Sequence, residues 1–332
     1  MTANRSAMGV LFRAFLAVGS VVAFVACGGG GNGSLPHLAS GPAVTAFPMG
    51  AAEAGPSSIV TGSDGALWFT AFDGNAVGKI TTGGTITAFA LPTPTSGPGF
   101  IAAGPDGALW FTELDGDRIG RMTTGGTLTE YSLRSGSEPL GITLGPDGAL
   151  WFSEQTTESI GRITTAGAIT EFPLPNNQGN PSAIVAGPDH ALWFTEEGTS
   201  SIGRITTAGT ITEYPVPTAN SVPSSIAVGS DGALWFTENT GVKIGRITTA
   251  GTFTEYALPN ANGYPSGIAG GPDGALWFIE QGQIGRITTA GSITSYPVAK
   301  ASTGSINGIV TGPDQALWFT ERIGNSIGRL AP

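Results

Sequence analysis

The sequence predicts an all-β protein, a seven-bladed β-propeller with four antiparallel strands in each blade. One phrase of the type GPDGALWFTE recurs seven times in 332 residues, and successive copies are 41 or 42 residues apart, a period typical of propeller blades. Each copy places Phe directly after Trp; adjacent strand residues point to opposite faces, so both faces of each blade must be buried. The repeats hold all the tryptophans of the chain: Trp68, Trp110, Trp151, Trp193, Trp235, Trp277 and Trp318.

Each repeat predicts four short strands separated by turn signals. In the fifth repeat we expect strands at about 225–228, 233–238, 243–248 and 252–257, with SDG and TAG sequences at two of the turns. The fourth strand ends in proline in several repeats, at Pro173, Pro215 and Pro297. Proline has no N–H to donate to a neighbouring strand, so this strand is predicted at the outer edge of the blade.

The two ends of the chain predict how the ring closes. The last repeat stops at its third strand, near Leu330, and has no fourth strand. The missing phrase lies at the other end: residues 43–49 (AVTAFPM) match the fourth-strand phrase at 292–298 (SITSYPV) position by position. The N-terminal strand is therefore predicted to complete the seventh blade.

Residues 1–42 lie outside the repeats and predict export. Arg5 and Arg13 precede an apolar stretch that is too short for a comfortable membrane span, so residues 1–27 are predicted to be a signal peptide. Cys27 is the only cysteine and follows this stretch directly, as in a bacterial lipoprotein; an ordinary signal peptide with an incidental cysteine is the alternative. Residues 28–42 are Gly-rich and predict a flexible tether to the propeller at 43–332. We expect a lipid-anchored protein of the bacterial cell envelope, at the outer membrane or in the periplasm.

The charge of the chain limits its partners. The formal net charge is −10, and no basic cluster interrupts it, which argues against nucleic acid as a partner. Anionic lipid surfaces would repel the propeller, so contact with a membrane is expected through the lipid anchor only. We expect a monomer.

Two sets of loops differ between repeats and indicate where a ligand binds. The loops from each fourth strand to the next first strand (PTPTSGPGF, RSGSEPLG, PNNQGNPSA) and those between second and third strands (LDGDRIG, QTTESIG) vary, whereas the other turns are nearly uniform. In an antiparallel blade both variable sets emerge on one face, here named the variable-loop face. Variable loops on a rigid scaffold are typical of recognition, so a small molecule or a protein is the expected partner there. Phe100 and Tyr264 are candidate aromatic contacts.

A glutamate and an arginine recur in most repeats. The glutamate follows the Trp-Phe phrase and the arginine lies in the third strand, while the first repeat has Ala71 and Lys79 at these positions. This joint change favours a Glu–Arg ion pair across each hairpin; ligation of a hard cation such as Mg²⁺ or Ca²⁺ by the carboxylates is the alternative. The residues are Glu113, Glu154, Glu196, Glu238, Glu280 and Glu321, with Arg121, Arg162, Arg204, Arg246, Arg286 and Arg329.

The phrases GPDGALWFTE and SIGRITTAGTITEY, with P-x-x-I at the start of six of the seven repeats, resemble the virginiamycin B lyase (streptogramin lyase) family over residues 43–332. The resemblance implies a seven-bladed propeller enzyme. It implies that the macrocycle of type B streptogramins is opened by Mg²⁺-assisted elimination at an ester C–O bond, with a histidine as general base.

The histidine that the resemblance implies is missing. In the family it lies in a Glu-Pro-His-Gly-Ile type phrase, and the most similar phrase here, Glu138-Pro139-Leu140-Gly141-Ile142, has Leu140 in the base position. Glu138 and Glu154 then correspond to the metal carboxylates. The only histidines of the chain are His37, in the tether, and His190, in a turn expected on the opposite face. The positions equivalent to the base in the seven repeats are Ser57, Gly99, Leu140, Ser182, Ser224, Ser266 and Asn307.

Three functions remain open on the sequence. The first is a binding or scaffold propeller, which explains the tether, the varied loops and the missing base. The second is a Mg²⁺-dependent C–O lyase that acts on type B streptogramins or a related substrate. The third is a metal-dependent hydrolase similar to the gluconolactonase and senescence-marker propellers, for which Glu138 and Asn307 are candidate calcium ligands.

Overall fold

The computed structural model describes residues 43–298 and 306–331. The predicted signal peptide, Cys27, the tether at 28–42 and His37 lie outside the described residues. The regular secondary structure of the described chain is β-strand, apart from one short 3-10 turn at Ala51–Glu53. It contains no helix with the length and apolar character needed to cross a membrane.

The first four blades each contain four consecutive strands. They are β2 Pro56–Thr61, β3 Leu67–Ala71, β4 Ala76–Ile80 and β5 Ile86–Ala90; β6 Pro98–Ala103, β7 Leu109–Glu113, β8 Arg118–Met122 and β9 Leu128–Ser132; β10 Pro139–Leu144, β11 Leu150–Glu154, β12 Ser159–Ile163 and β13 Ile169–Pro173; and β14 Pro181–Ala186, β15 Ala191–Glu196, β16 Ser201–Thr206 and β17 Ile211–Pro215.

Blades 5 and 6 repeat this order, and blade 7 takes its outermost strand from the N-terminus. The strands are β18 Pro223–Val228, β19 Leu234–Glu238, β20 Lys243–Ile247 and β21 Phe253–Ala257; β22 Ile268–Gly270, β23 Leu276–Glu280, β24 Gln283–Ile287 and β25 Ile293–Pro297; and β26 Ile306–Thr311, β27 Leu317–Glu321 and β28 Ser326–Leu330, with β1 Val44–Pro48. The prediction of seven four-stranded blades is confirmed.

The predicted ring closure is also confirmed. Strand β1 pairs antiparallel with β28, with Val44 opposite Leu330 and Pro48 opposite Ser326. The ring of Phe47 stacks on Trp318 at 5.4 Å between centroids, as the fourth-strand aromatic residues of the other blades stack on their own tryptophans. The N-terminal strand therefore makes the contacts of an ordinary fourth strand.

The core lies between the blades. The Trp and the Phe of each second strand point to opposite faces, so Trp68 of blade 1 packs in one cluster with Phe111 of blade 2. All seven tryptophans are at most 2% exposed. Glycine in the third strand makes room for the ring: a Cβ at Gly120 would lie 2.2 Å from Phe111. The repeated Gly of the IGR phrase is thus required by close packing.

Each blade carries an aspartate–tryptophan–cation contact on the face opposite the variable loops. The aspartate of the PDG turn accepts the tryptophan indole N–H at 2.9–3.1 Å. It also binds the third-strand Arg or Lys at 2.6–2.7 Å, and that cation lies 5.4–5.9 Å from the indole centroid. The turn is therefore tied to the second and third strands. The aspartates are Asp64, Asp106, Asp147, Asp189, Asp231, Asp273 and Asp314.

The predicted Glu–Arg ion pair is wrong. Arg121 lies opposite Trp110, whereas Glu113 lies opposite Arg118, three residues further along the hairpin. That separation is about 10 Å along a strand, too far for a side-chain ion pair. Lys79 replaces arginine in blade 1 as a partner of Asp64, so its coincidence with Ala71 reflects no contact between the two positions.

One turn contains a strained residue whose replacement is expected to stabilise the fold. The residue before the third strand has a positive φ in several blades, at Asn75, Asp117 and Asn325, but in blade 5 it is Val242, with φ of 52°. A β-branched side chain is disfavoured in this conformation, whereas Asn tolerates it. Asn75 also bonds the following connection, through Ser96 N–H at 2.9 Å and Thr93 O at 2.8 Å.

We expect Val242→Asn to raise the free energy of unfolding by about 1 kcal/mol, because it relieves backbone strain and adds hydrogen bonds. Denaturant unfolding of the two proteins measures the difference. The reciprocal change, Asn75→Val, should destabilise blade 1. A Val242→Asn protein that is no more stable than the parent would show that the apolar contact of Val242 with the blade core outweighs the strain.

Candidate functional site at the mouth of the central channel

The variable-loop face forms as predicted. Because strands alternate in direction, the connections from fourth to first strands and from second to third strands emerge together. Within the described residues, the exposed large apolar side chains are Tyr264, 45% exposed, and Ile323, 47% exposed, and both lie in these connections. This face is where apolar surface is available to a partner.

The first strands of neighbouring blades contact one another around the axis of the ring and line a central channel. A cavity of about 150 Å³ lies in it, bounded by all seven first strands. Each of the seven blades places one equivalent residue at the same level of the channel wall. Six of these residues are small, and the seventh is Phe100. The six are Ser58, Gly141, Ala183, Ser225, Gly267 and Gly308.

The expected place of Phe100 in a variable loop is wrong. The strand β6 begins at Pro98, so Phe100 is its third residue and lies in the channel wall. Its backbone N–H donates to Thr112 Oγ1 at 3.0 Å. Tyr264 does lie in a variable loop, immediately before the first-strand segment of blade 6.

Hydroxyl groups join the first strands of neighbouring blades. The Thr or Ser in the second strand accepts an N–H from the first strand of its own blade and donates to a carbonyl in the first strand of the next, as Thr112 does to Leu140 O at 2.8 Å. Equivalent bonds to Gly99 O, Ser182 O, Ser266 O and Ser57 O measure 2.5–2.7 Å. These acceptors are the predicted base positions, so their backbone is held in place. Blade 6 has Ile279 in this position, which cannot supply such a bond.

The mouth of the channel is surrounded by residues with left-handed backbone. The residue just before the proline that opens each first strand has a φ between 40° and 67° in blades 1 to 6. Blades 1 and 2 use glycine, which adopts this conformation freely, and blade 4 uses Asn180, which tolerates it; Glu138, Val222 and Tyr264 adopt it at a backbone cost. The residues are Gly55, Gly97, Glu138, Asn180, Val222 and Tyr264.

The repeated glutamates are buried between the blade and the connection that precedes it. Glu113, Glu154, Glu196 and Glu238 are all 0% exposed. Burial, followed by the charge of Glu130, raises the pKa of Glu113 to about 7, and burial, followed by the charge of Glu255, raises the pKa of Glu238 to about 8. Neither carboxyl oxygen of Glu113 or of Glu238 has a hydrogen-bond partner among the described residues. These groups are neither arginine partners nor exposed ligands.

The two predicted metal ligands lie in different surroundings. Glu138 is half-buried at the mouth, and its Oε2 accepts a hydrogen bond from Thr156 Oγ1 at 2.6 Å. Glu154 is 0% exposed, and burial, followed by the charge of Glu171, raises its pKa to about 7. Glu154 lies opposite Pro139 in the sheet, one residue from Glu138. The backbones are therefore adjacent, while the carboxyl group of Glu138 bonds Thr156 in the connection after β11 and that of Glu154 is fully buried.

These residues fit a metal ion only in part. In residues 43–298 and 306–331 no group of three or more His, Cys, Asp or Glu side chains is placed to hold a metal. Glu138 and Glu154 would supply two oxygen ligands, and water and substrate the remainder, which is a common arrangement for Mg²⁺. The magnesium site stays a prediction.

The described part of the channel mouth contains no histidine. Leu140, in the predicted base position, is 2% exposed and has no titratable group. His190 lies in the turn between β14 and β15, on the face opposite the variable loops, as predicted. Asn307 lines the channel and is exposed. The arrangement thus offers a narrow channel and carboxyl groups of raised pKa, but no imidazole.

The chain is similar to known lyases over almost its whole propeller. The model of the virginiamycin B lyase family matches residues 29–181 and 133–332. A streptogramin B lyase structure is 39% identical, with 87% of this chain and 97% of that chain covered and a TM-score of 0.83. The virginiamycin B lyase from Staphylococcus aureus is 40% identical, with 87% and 99% covered and a TM-score of 0.83. A catalytically inactive histidine-to-alanine variant of that enzyme, solved with quinupristin, is also 40% identical, with 87% of this chain and 99% of that chain covered and a TM-score of 0.83. A search of curated protein sequences found no match.

Proposed function

Because the chain belongs to the virginiamycin B lyase family, we propose that it is an exported, lipid-anchored propeller that binds a macrocycle of the streptogramin type at the mouth of its central channel, without opening it. One observation supports this above the others. The described residues around the mouth form a channel with a left-handed rim and nearby carboxyl groups, whereas the predicted position of the base carries the buried side chain of Leu140. A binding site can persist without that group, but elimination needs a base.

The site is built for recognition of a neutral ligand. The residues that line the channel cavity include no charged side chain. The rim combines Glu138, Asn180 and Tyr264, each of which has a left-handed backbone. Apolar walls with a few polar groups are typical of small-molecule sites.

A second candidate function is a C–O lyase that uses a carboxyl group as its base. The pKa of Glu154, raised to about 7, suits proton transfer at neutral pH. Its burial argues against this, because a base must reach the proton that it removes. Mg²⁺ held by Glu138 and Glu154 would act as a Lewis acid that polarises the ester. The hydrolase alternative gains no specific support from the site.

Incubation of residues 28–332 with quinupristin separates the two functions. Titration calorimetry measures binding, and chromatography with mass spectrometry detects conversion; elimination leaves the mass unchanged, so retention and fragmentation must be compared. We expect saturable binding and no linear product, with Mg²⁺ or with EDTA. Metal-dependent linearisation would instead establish the lyase, and Glu154→Gln would then test the base. Absence of both binding and conversion would reject both functions.

A thermal-shift comparison tests the metal independently. A ligand that binds only the folded state raises the melting temperature; at one hundred times its Kd the gain is about 2.7 kcal/mol. For a bound Mg²⁺ we expect a rise of a few degrees over EDTA, which is abolished in Glu138→Gln. Identical curves in Mg²⁺ and EDTA at low ionic strength would remove the support for a metal-dependent function.

A further inference from the structure

We propose that Phe100 is the aromatic floor of a subsite in the central channel, and that this subsite takes one neutral aromatic ring of a ligand whose remainder lies on the variable-loop face. The inference rests on the proposed function for the identity of the larger ligand. The ring subsite itself is argued from the channel alone.

Phe100 breaks the symmetry of the channel wall. The seven first strands place equivalent residues at one level, each directly before an isoleucine such as Ile101, which pairs with Phe111 of the next strand. At this level Phe100 is the single large side chain among glycine, alanine and serine. A phenylalanine in this position is therefore not a requirement of the blade, because six blades fold without it.

The ring of Phe100 is held but not enclosed. It is half-buried and packs against the cluster that includes Ala102 and Ile142, the latter from blade 3. The backbone is fixed on both sides, since Phe100 N–H donates to Thr112 Oγ1 at 3.0 Å and Gly99 O accepts from Thr70 Oγ1 at 2.6 Å. Part of an ordered aromatic side chain thus faces the cavity, and little entropy remains to be lost when a ligand stacks on it.

The size and polarity of the cavity specify the group that it takes. Its volume of about 150 Å³ matches that of an engineered protein cavity that binds benzene. No charged residue lines it, and Ser58 and Ser225 provide hydroxyl groups at the level of Phe100. A neutral ring with at most a small polar substituent fits; an anion, a cation or a whole macrocycle does not.

Calorimetric titration of three variants with quinupristin tests this subsite. Phe100→Ser introduces the residue that blades 1 and 5 carry, Phe100→Leu keeps apolar bulk without an aromatic face, and His190→Gly alters an exposed turn on the opposite face. Loss of an aromatic contact is expected to raise Kd about tenfold in Phe100→Ser and less in Phe100→Leu. His190→Gly should bind as the parent does.

Phenol, observed by saturation-transfer NMR, provides a probe of the ring alone. If quinupristin binds Phe100→Ser and the parent equally, the subsite is refuted while the proposed function stands. If the parent binds phenol through Phe100 but not quinupristin, the subsite stands and the macrocycle is the wrong ligand. Failure of the parent to bind either probe overturns both. Melting curves of the variants establish that each is folded. If Phe100→Ser does not fold, the comparison of Phe100→Leu with the parent still tests the subsite.

Discussion

Deletion of residues 43–49 is expected to lower the melting temperature by about 10 °C, because these residues supply the fourth strand of blade 7. Loss of the partly buried Phe47 ring, which packs on Trp318, costs about 3 kcal/mol, and loss of the ladder with β28 a similar amount in hydrogen bonds. Division of the total loss in free energy of unfolding by an unfolding entropy of about 2 cal/mol/K per residue gives a decrease in melting temperature of about 10 °C. The unpaired edge of β28 would also favour aggregation.

A deletion of equal length just before the strand provides the control. Removal of residues 36–42 shortens the predicted tether without touching β1, so the melting temperature should not change. The substitution Phe47→Ala, which removes the stack on Trp318 alone, should fall between the two. A 43–49 deletion that melts like the parent would show that the contacts of β1 with β28 contribute nothing to the ring.

Most of the fold could be predicted because the spacing of the repeated phrase directly gives the length of one blade. The match between residues 43–49 and 292–298 was sufficient to predict which strand completes blade 7, and β1 pairs with β28 accordingly. The adjacent Trp and Phe correctly indicated burial of both blade faces. These inferences depend on strand alternation and on repetition, which a single sequence displays directly.

The site was less predictable because it depends on register and on backbone angles. The Glu–Arg pair was inferred from one joint change, at Ala71 and Lys79, but the register places Arg121 opposite Trp110. The aspartate that binds the cation recurs four residues before each tryptophan. This constant spacing is the sequence signal for the contact, but it is also typical of a tight turn. Phe100 ends the variable PTPTSGPGF segment, which the sequence predicts to be a loop, whereas the strand already begins at Pro98. Nothing in the sequence indicated the left-handed residues of the rim.

The protein is expected to lose stability as pH rises from 5 to 8. Burial, followed by the charge of Glu130, raises the pKa of Glu113 to about 7, and burial with the charge of Glu255 raises that of Glu238 to about 8. Burial likewise raises the pKa of Glu154 and of Glu196 to about 7. The ordinary value is 4.5, so between these limits the folded state binds more protons than the unfolded state. Stability is then highest below about pH 4.5 for these groups and is lost as pH rises through the folded pKa.

The charged groups around each glutamate determine how strongly that glutamate makes the stability of the fold depend on pH. Glu238 has the charge of Glu255 against it, which raises its pKa, and that of Lys243 in its favour, which lowers it. Lys243 is already paired with Glu255 at 2.7 Å, and this limits how far Lys243 lowers the pKa of Glu238. The turn aspartates act in the opposite direction: burial alone would raise the pKa of Asp106, but hydrogen bonds from Trp110 and Arg121 and the charge of Arg121 lower it below its ordinary value. Their contribution is lost only in more acidic solution, outside the window from pH 5 to 8.

Glu238→Gln should flatten this pH dependence. Glutamine keeps the shape of the side chain but cannot ionise, so the variant should exceed the parent in stability at pH 8, on the order of 1–3 kcal/mol, and differ little from it at pH 5. Denaturant unfolding at unit steps of pH measures both slopes. Glu53→Gln, in the short turn at Ala51–Glu53, is the matched control and should leave the slope unchanged. If Glu238→Gln and the parent lose stability in parallel from pH 5 to 8, the carboxyl group of Glu238 ionises as readily in the folded protein as in the unfolded chain, and water must reach it between the blades.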